Sequence, residues 1–357
     1  MKSRVLVVGC GGIGGVIAGR LAKAGHDVTP VTGNRTIADA IAKRGFEVRE
    51  FDGQTWTAAP ARAPRVSLAE DASGGPFDLC IIATKATTLE PALRDALPHL
   101  APGAPVVTCQ NGLPEELAAR VVGGHRVAGA VVVWGATMEE PGRYVRTSRG
   151  RFQLGRLDER GPDLTPVARL LEAVAPVEIV ENLAGVRWGK LAINCATSTL
   201  GAIGGERLGP LLGRRFVRRM VLELWAEIAQ VAAKQGVKMA PVTGLQIPWL
   251  ALSPEEKRAS ISPRLALKHA ILFAIGMKYR RMRSSMGLAL ERGRIPEIDF
   301  LNGEIVARAR RLGVEAPLNE RLVDAVWRLH DKELAPSIEL LQSLGEGALP
   351  ASPALAA

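Results

Sequence analysis

Val5-Leu6-Val7-Val8 is a run of four apolar residues that breaks into glycines at Gly9 and resumes at Ile13 with helical spacing. An apolar run closed by a tight turn reads as a buried strand, and Val16 to Gly25 reads as a helix ended by glycine. Asp27 to Val31 predicts a second strand and Ile37 to Arg44 a helix closed by Gly45, with short irregular strands at Phe46 to Arg49 and near Trp56 and Val66. The alternation continues with a strand at Phe77 to Lys85, a helix at Leu89 to Leu97 and a strand at Pro105 to Cys109. Strands across Val127 to Thr137, Tyr144 to Thr147 and Phe152 to Leu154 predict an antiparallel edge, followed by a helix at Asp163 to Val174 and a strand at Val177 to Val180. From Leu183 to about Arg328 the periodicity is helical with almost no strand signal.

Alternating strands and helices followed by helices alone predict an α/β fold, with a doubly wound Rossmann-type sheet over residues 1–181 and an all-helical domain over 182–344. The Ala-, Pro- and Gly-rich tail 345–357 reads as disordered.

Gly9, Gly11 and Gly14 have the G-x-G-x-x-G spacing of a dinucleotide-binding turn. The first glycine turns the chain, the second lets backbone amides approach a pyrophosphate, and the third lets helix pack on strand. Gly9, Cys10, Gly11, Gly12, Ile13 and Gly14 would then hold the anion at a helix N-terminus, where unpaired amides and the helix dipole favour negative charge. Three glycines alone are a weak signal, but a strand, turn, helix and strand within about thirty residues supply the required context. An NAD site places an acid at the end of the second strand, and an NADP site replaces it with polar or basic groups. Here that end reads Thr32-Gly33-Asn34-Arg35, with no acid before Asp39, which predicts NADP(H) contacted by Thr32, Asn34 and Arg35. Arg35 has a second reading, as a solvated residue opening the next helix. Lys85 and Asn111 stand at the carboxyl ends of two further strands, where such sheets bind ligands and where ordinary loop residues also occur.

In Val186 to Leu200 the apolar residues cover most of a helix circumference, whereas Lys190, Asn194 and Ser198 fall at i, i+4 and i+8. Two readings are open. Lys190 reaches water while Asn194 and Ser198 bond to backbone, or the stripe lines a cavity in which an ammonium protonates the alkoxide formed from a ketone.

Composition narrows the class. With 357 residues, 47% hydrophobic and 23% charged, the chain has room for two cored domains. The formal net charge of +10 attracts anions, but the basic residues are scattered and not interleaved with aromatics, so no nucleic-acid partner is predicted. The longest apolar stretch, Leu265 to Met277, contains Lys268 and His269 and is too short for a bilayer, so no membrane partner is predicted either. Cys10, Cys80, Cys109 and Cys195 form no C-x-x-C pair, and with no signal peptide they predict free thiols in a reducing cytoplasm. No metal ligand set is assigned.

Five stretches together resemble the ketopantoate reductase (2-dehydropantoate 2-reductase) family. They are the Gly9/Gly11/Gly14 turn, the Lys85 strand end, Gln110-Asn111-Gly112, Trp188 to Asn194, and Ser284-Ser285-Met286 with Pro296 to Gly303. The resemblance implies NADPH-dependent reduction of a small-molecule 2-oxo acid by a homodimer. It makes Lys190 the catalytic lysine and Glu297 the active-site glutamate, which also borders the cofactor. Asn194 and Ser285 become substrate-binding residues, Asn111 the asparagine near nicotinamide ribose and substrate, and Lys85 the cofactor-side lysine. By residue pattern alone, Glu297 is an acid in the first turn of a helix and Ser285 an N-cap.

The chain departs from the family pattern in three places. Ser198 replaces the usual second substrate asparagine, Gly287-Leu288-Ala289 stands where many members carry an acid, and the segment 240–279 is longer than the usual connection. Ketopantoate is therefore the first substrate expected, with a different, bulkier oxo acid as the alternative. A non-enzymatic NADP-sensing protein is the alternative of another class.

Overall fold

A computed structural model describes residues 3–68, 75–258 and 262–347, and the chain divides into two compact units at Leu183/Ala184. The first unit runs β1 (Arg4–Val8), α1 (Gly12–Lys23), β2 (Asp27–Val31), α2 (Arg35–Arg44), β3 (Phe46–Arg49), β4 (Thr55–Ala58), β5 (Leu79–Ile82), α3 (Leu89–Ala96), β6 (Val106–Thr108) and α4 (Pro114–Val122). It continues with β7 (Val127–Val132), β8 (Ala136–Glu140), β9 (Arg143–Arg146), β10 (Phe152–Arg156), α5 (Leu164–Leu171) and β11 (Val177–Ile179).

Seven strands form one sheet in the order β11-β10-β7-β6-β5-β1-β2, parallel except where β10 meets β7. Alternate residues of β1 face opposite ways, and both faces are covered. Val5 and Val7 pack with Ile17 and Leu21 of α1, whereas Leu6 and Val8 pack with Leu93 of α3 and Ala118 of α4. A strand buried on both faces needs the continuous apolar run seen in the sequence. Pro30 is accommodated because β2 is the edge strand.

The stretch expected to be one strand, Val127 to Thr137, is two strands in two sheets. β7 stays in the large sheet, and β8 joins a four-stranded sheet of order β4-β3-β9-β8. This second sheet pairs residues far apart in sequence, such as Glu47 with Arg143, which no local pattern specifies.

The second unit comprises α6 (Leu183–Gly204), α7 (Leu208–Gly213), α8 (Arg215–Lys234), α9 (Ile247–Leu250), α10 (Pro254–Arg258), α11 (Pro263–Lys278), α12 (Ser285–Glu291), α13 (Asn302–Leu312), α14 (Pro317–His330) and α15 (Ile338–Gly345). The long segment 240–279 thus folds mainly as α9 to α11. Lys268 of α11 is fully buried and donates to Glu256 of α10 at 2.6 Å and to the Ala251 carbonyl at 2.7 Å. Gly345, assigned to the tail by composition, ends α15 instead, and residues 348–357 lie outside the described residues. Among the described residues no helix is long and apolar enough to cross a membrane.

Candidate functional site

In the first unit the site is built from backbone. β1 ends at Val8, and Gly9 takes φ +98° while its amide donates to the Val31 carbonyl at 2.8 Å. A Cβ on Gly14 would lie 1.8 Å from the Gly9 carbonyl oxygen, so helix and turn meet at a distance no side chain permits. A Cβ on Gly11 would meet nothing within 4 Å, so the turn is closed behind and open in front. Gly11 is the N-cap of α1 and offers no side-chain cap, leaving the first-turn amides without an intrahelical acceptor. An open-fronted turn ending in bare helix amides fits a dinucleotide pyrophosphate.

The Cys10 side chain turns inward. Its Sγ donates to the Val31 carbonyl at 3.5 Å, and burial pushes the thiol up to about 12, so Cys10 is a neutral group that can meet a ligand only through its backbone. The Cys10 carbonyl accepts from the buried Tyr144 hydroxyl of β9 at 3.0 Å, and the Tyr144 ring covers Gly15. Burial raises the Tyr144 phenol far above its usual range. The second sheet therefore braces the glycine turn through a residue that nothing local in the sequence singled out.

At the end of β2, Thr32 is buried and Asn34 is the N-cap of α2. The Asn34 Oδ1 accepts from the Ile37 amide at 3.2 Å, and the Thr32 Oγ1 accepts from the Asn34 amide at 3.4 Å. Arg35 is exposed as the first residue of α2. The structure adds Arg65, whose backbone pairs with the end of the same strand. Lys85 follows β5 with its side chain exposed, while its carbonyl accepts from the Thr88 amide at 3.1 Å. Beyond β6, the buried Gln110 amide donates to the Thr84 hydroxyl at 3.5 Å, linking two strand ends, and Asn111 is exposed.

In the second unit the site is built from side chains on α6. Between Gly185 and Gly204 every residue is buried except Lys190, Ile193, Asn194, Thr197 and Ser198, which are half-buried. Their spacing of three and four residues places them on one helix face. The polar stripe therefore lies on the single open face of a helix otherwise enclosed. The Ser284 hydroxyl donates to the Ser198 carbonyl and accepts from the Gly287 amide at 2.9 Å. Ser284, not Ser285, is thus the N-cap of α12, and Ser285 is the exposed first residue of that helix. Glu297 is half-buried and precedes a single 3-10 turn, Ile298–Phe300, so it is not in the first turn of an α-helix.

Behind the stripe runs a buried polar chain that sequence reading missed. The Thr199 hydroxyl donates to Asn302 at 2.6 Å, the Asn302 amide to Asn319 at 3.0 Å, and the Asn319 amide to Glu227 at 2.7 Å. Glu227 of α8 also accepts the amides of Leu318 and Asn319 at 2.9 and 3.0 Å, capping α14 where Ala316 offers no side-chain acceptor. Burial raises the Glu227 carboxyl above its usual range, against the opposing pull of these hydrogen bonds. Three helices, α8, α13 and α14, are thereby registered on the helix that carries Lys190. The only sequence signal was a scatter of polar residues within apolar patterns.

Residues 5–159 match the family described as ketopantoate reductase PanE/ApbA, and residues 182–330 match its C-terminal part. A 2-dehydropantoate 2-reductase of Pyrococcus horikoshii is 26% identical over 351 residues, covering 96% of this chain and 99% of that protein. An oxidoreductase of Bacillus subtilis known as YkpB is 28% identical over 322 residues, covering 89% and 95%. Among solved structures, a PanE/ApbA family ketopantoate reductase from Ralstonia eutropha aligns with a TM-score of 0.75 at 26% identity, covering 93% of this chain and 99% of that one. A D-mandelate dehydrogenase with NADH and anilino(oxo)acetate aligns with a TM-score of 0.77 at 22% identity, over 92% and 98%, and shares the fold.

Proposed function

The chain belongs to the ketopantoate reductase family and is a pyridine-nucleotide-dependent oxidoreductase of the CH–OH group, and from that premise we propose that it reduces 2-dehydropantoate to pantoate with NADPH. The observation that carries the reading is the single open face of α6, which presents an ammonium, an amide and a hydroxyl in line. Bound NADPH supplies the hydride to C2 of the oxo acid. Lys190 attracts the substrate carboxylate and donates the proton to the oxygen on C2 as negative charge develops there. Asn194, Ser198 and Ser285 hold the substrate by hydrogen bonds, and Glu297 orients its far end beside the cofactor. Asn111 borders the nicotinamide ribose and substrate, and Lys85 the cofactor. The turn from Gly9 to Gly14 seats the pyrophosphate, and Thr32, Asn34 and Arg35 face the adenosine ribose. A cytoplasmic homodimer completes the reading.

The test is NADPH oxidation, followed by absorbance, with ketopantoate beside a panel of other 2-oxo acids and with NADH as control. Efficient turnover of ketopantoate with NADPH supports the reading. A better substrate elsewhere in the panel overturns the substrate, and no turnover despite tight NADPH binding overturns the reaction.

A further inference from the structure

We propose that Ile193 and Thr197, with the cavity they open onto, are specificity residues that select 2-oxo acids carrying a short branched alkyl group on the oxo carbon. The inference rests on the reading of α6 as the oxo acid site and names the part of the substrate that the polar stripe does not hold. The open face of α6 is not wholly polar, because two of its five half-buried residues, Ile193 and Thr197, stand outside the stripe. Ile193 follows Lys190 by three positions and Thr197 follows Asn194 by three, so each adjoins a stripe residue on the helix surface. Both line a cavity of ≈ 40 Å³ whose other walls come from α7, α8, α11 and Leu245. Only Ile193, Thr197, Leu245 and Ile275 among its lining residues are half-buried, and the rest are buried, so these four mark the mouth. Two of the four belong to the open face of α6, which sets the mouth beside the stripe.

No polar atom reaches the inside of this cavity. The Thr197 hydroxyl donates to the Ile193 carbonyl at 2.9 Å, which ties it to the helix and leaves its methyl to line the space. The Trp225 indole N–H donates to the Ala192 carbonyl at 2.8 Å, so Trp225 presents only its ring. Water inside would find no hydrogen-bond partner, and a packed interior leaves few voids larger than a water molecule. An alkyl group answers both conditions. At about 10–15 Å³ for each water-sized position, the space takes a few carbon atoms, as in an isopropyl branch, and is too small for a phenyl ring. In 2-dehydropantoate the two methyls on C3 enter the cavity, and the hydroxymethyl group stays beside Asn194 and Ser198. Leu245, Leu272 and Ile275 belong to the segment 240–279, so the wall facing α6 comes from the part of the chain whose length departs from the family pattern.

The experiment measures kcat/KM with NADPH for pyruvate, 3-methyl-2-oxobutanoate, 2-dehydropantoate and phenylglyoxylate in wild type, Ile193→Phe and Ile193→Ala. Wild type should favour 3-methyl-2-oxobutanoate over both pyruvate and phenylglyoxylate by about 10-fold or more. Ile193→Phe fills the mouth and should lower both branched substrates about 10-fold with pyruvate nearly unchanged. Ile193→Ala widens it and should raise phenylglyoxylate relative to 3-methyl-2-oxobutanoate. A merely structural role would move all four substrates together. If wild type reduces oxo acids without favouring the branched ones, or if both variants change all substrates equally, the cavity is not a substrate site, while the oxo acid reading stands. The wild-type panel decides alone where a variant fails to fold. If wild type binds NADPH tightly and reduces none of the four, the oxo acid reading falls first and the cavity with it.

Discussion

The carboxyl end of β1 and the open face of α6 solve opposite problems. The first must let a ligand approach the backbone, so it is made of glycines and of amides that a helix leaves over. The second must place functional groups on a helix that is otherwise buried, so it depends on side chains and on whatever holds that helix in register. Their supports differ accordingly. Tyr144 braces the glycine turn through one hydrogen bond and ring contact, whereas a chain of four buried polar side chains braces α6. A backbone site tolerates almost no added atom, and a side-chain site tolerates the loss of its support poorly.

The largest effect that separates the two regions is expected from Lys190→Ala. A lost proton donor should lower kcat by about 10²–10⁴-fold, with NADPH affinity, measured by fluorescence titration, nearly unchanged. Unaltered turnover would remove Lys190 from the chemistry. Next comes Glu227→Ala, which strands the amides of Leu318 and Asn319 and the Asn319 side chain. Urea denaturation should show a loss of about 3 kcal/mol. A loss below about 0.5 kcal/mol would mean that surface water replaces the carboxylate.

Gly14→Ala tests the backbone region. Its methyl must displace the Gly9 carbonyl, so stability should fall by about 1–3 kcal/mol and NADPH affinity should fall with it, the reverse of the Lys190→Ala pattern. Tight NADPH binding by this variant would show that the turn relaxes without cost. The smallest effect distinguishes two adjacent serines. Ser284→Ala removes the α12 cap and the contact with Ser198, and should cost about 1 kcal/mol. Ser285→Ala should leave the melting temperature unchanged and raise KM for the oxo acid. If the two variants melt alike, Ser284 is not the cap that holds α12.

The β1–turn–α1–β2 unit was legible because each of its signals is local, in apolar runs, glycine spacing and the break at Gly25. The alignment of Lys190, Asn194 and Ser198 was legible for the same reason, since helical periodicity fixes which residues share a face. The second sheet was not. The sequence predicts strands at Phe46 to Arg49, near Trp56 and at Tyr144 to Thr147, but their pairing joins segments as distant as Glu47 and Arg143, and no local pattern specifies it. The choice between Ser284 and Ser285 as a cap turned on one residue of helix phase. Glu297 proved to precede a 3-10 turn, although an acid following proline also suits the first turn of an α-helix.

By itself the sequence determined where the chain turns, which stretches alternate between strand and helix, and which side of α6 is polar, because these depend on torsional preference and hydrophobic spacing over a few residues. Tertiary structure decided that the polar side of α6 is its open side, that Tyr144 supports the glycine turn, that Glu227 caps a helix 91 residues away, and that Arg65 lies beside β2. Each of these joins groups whose meeting depends on how whole elements pack. The stabilisation comes from burial and hydrogen bonds formed only after long loops have closed, and short-range patterns carry no record of that closure.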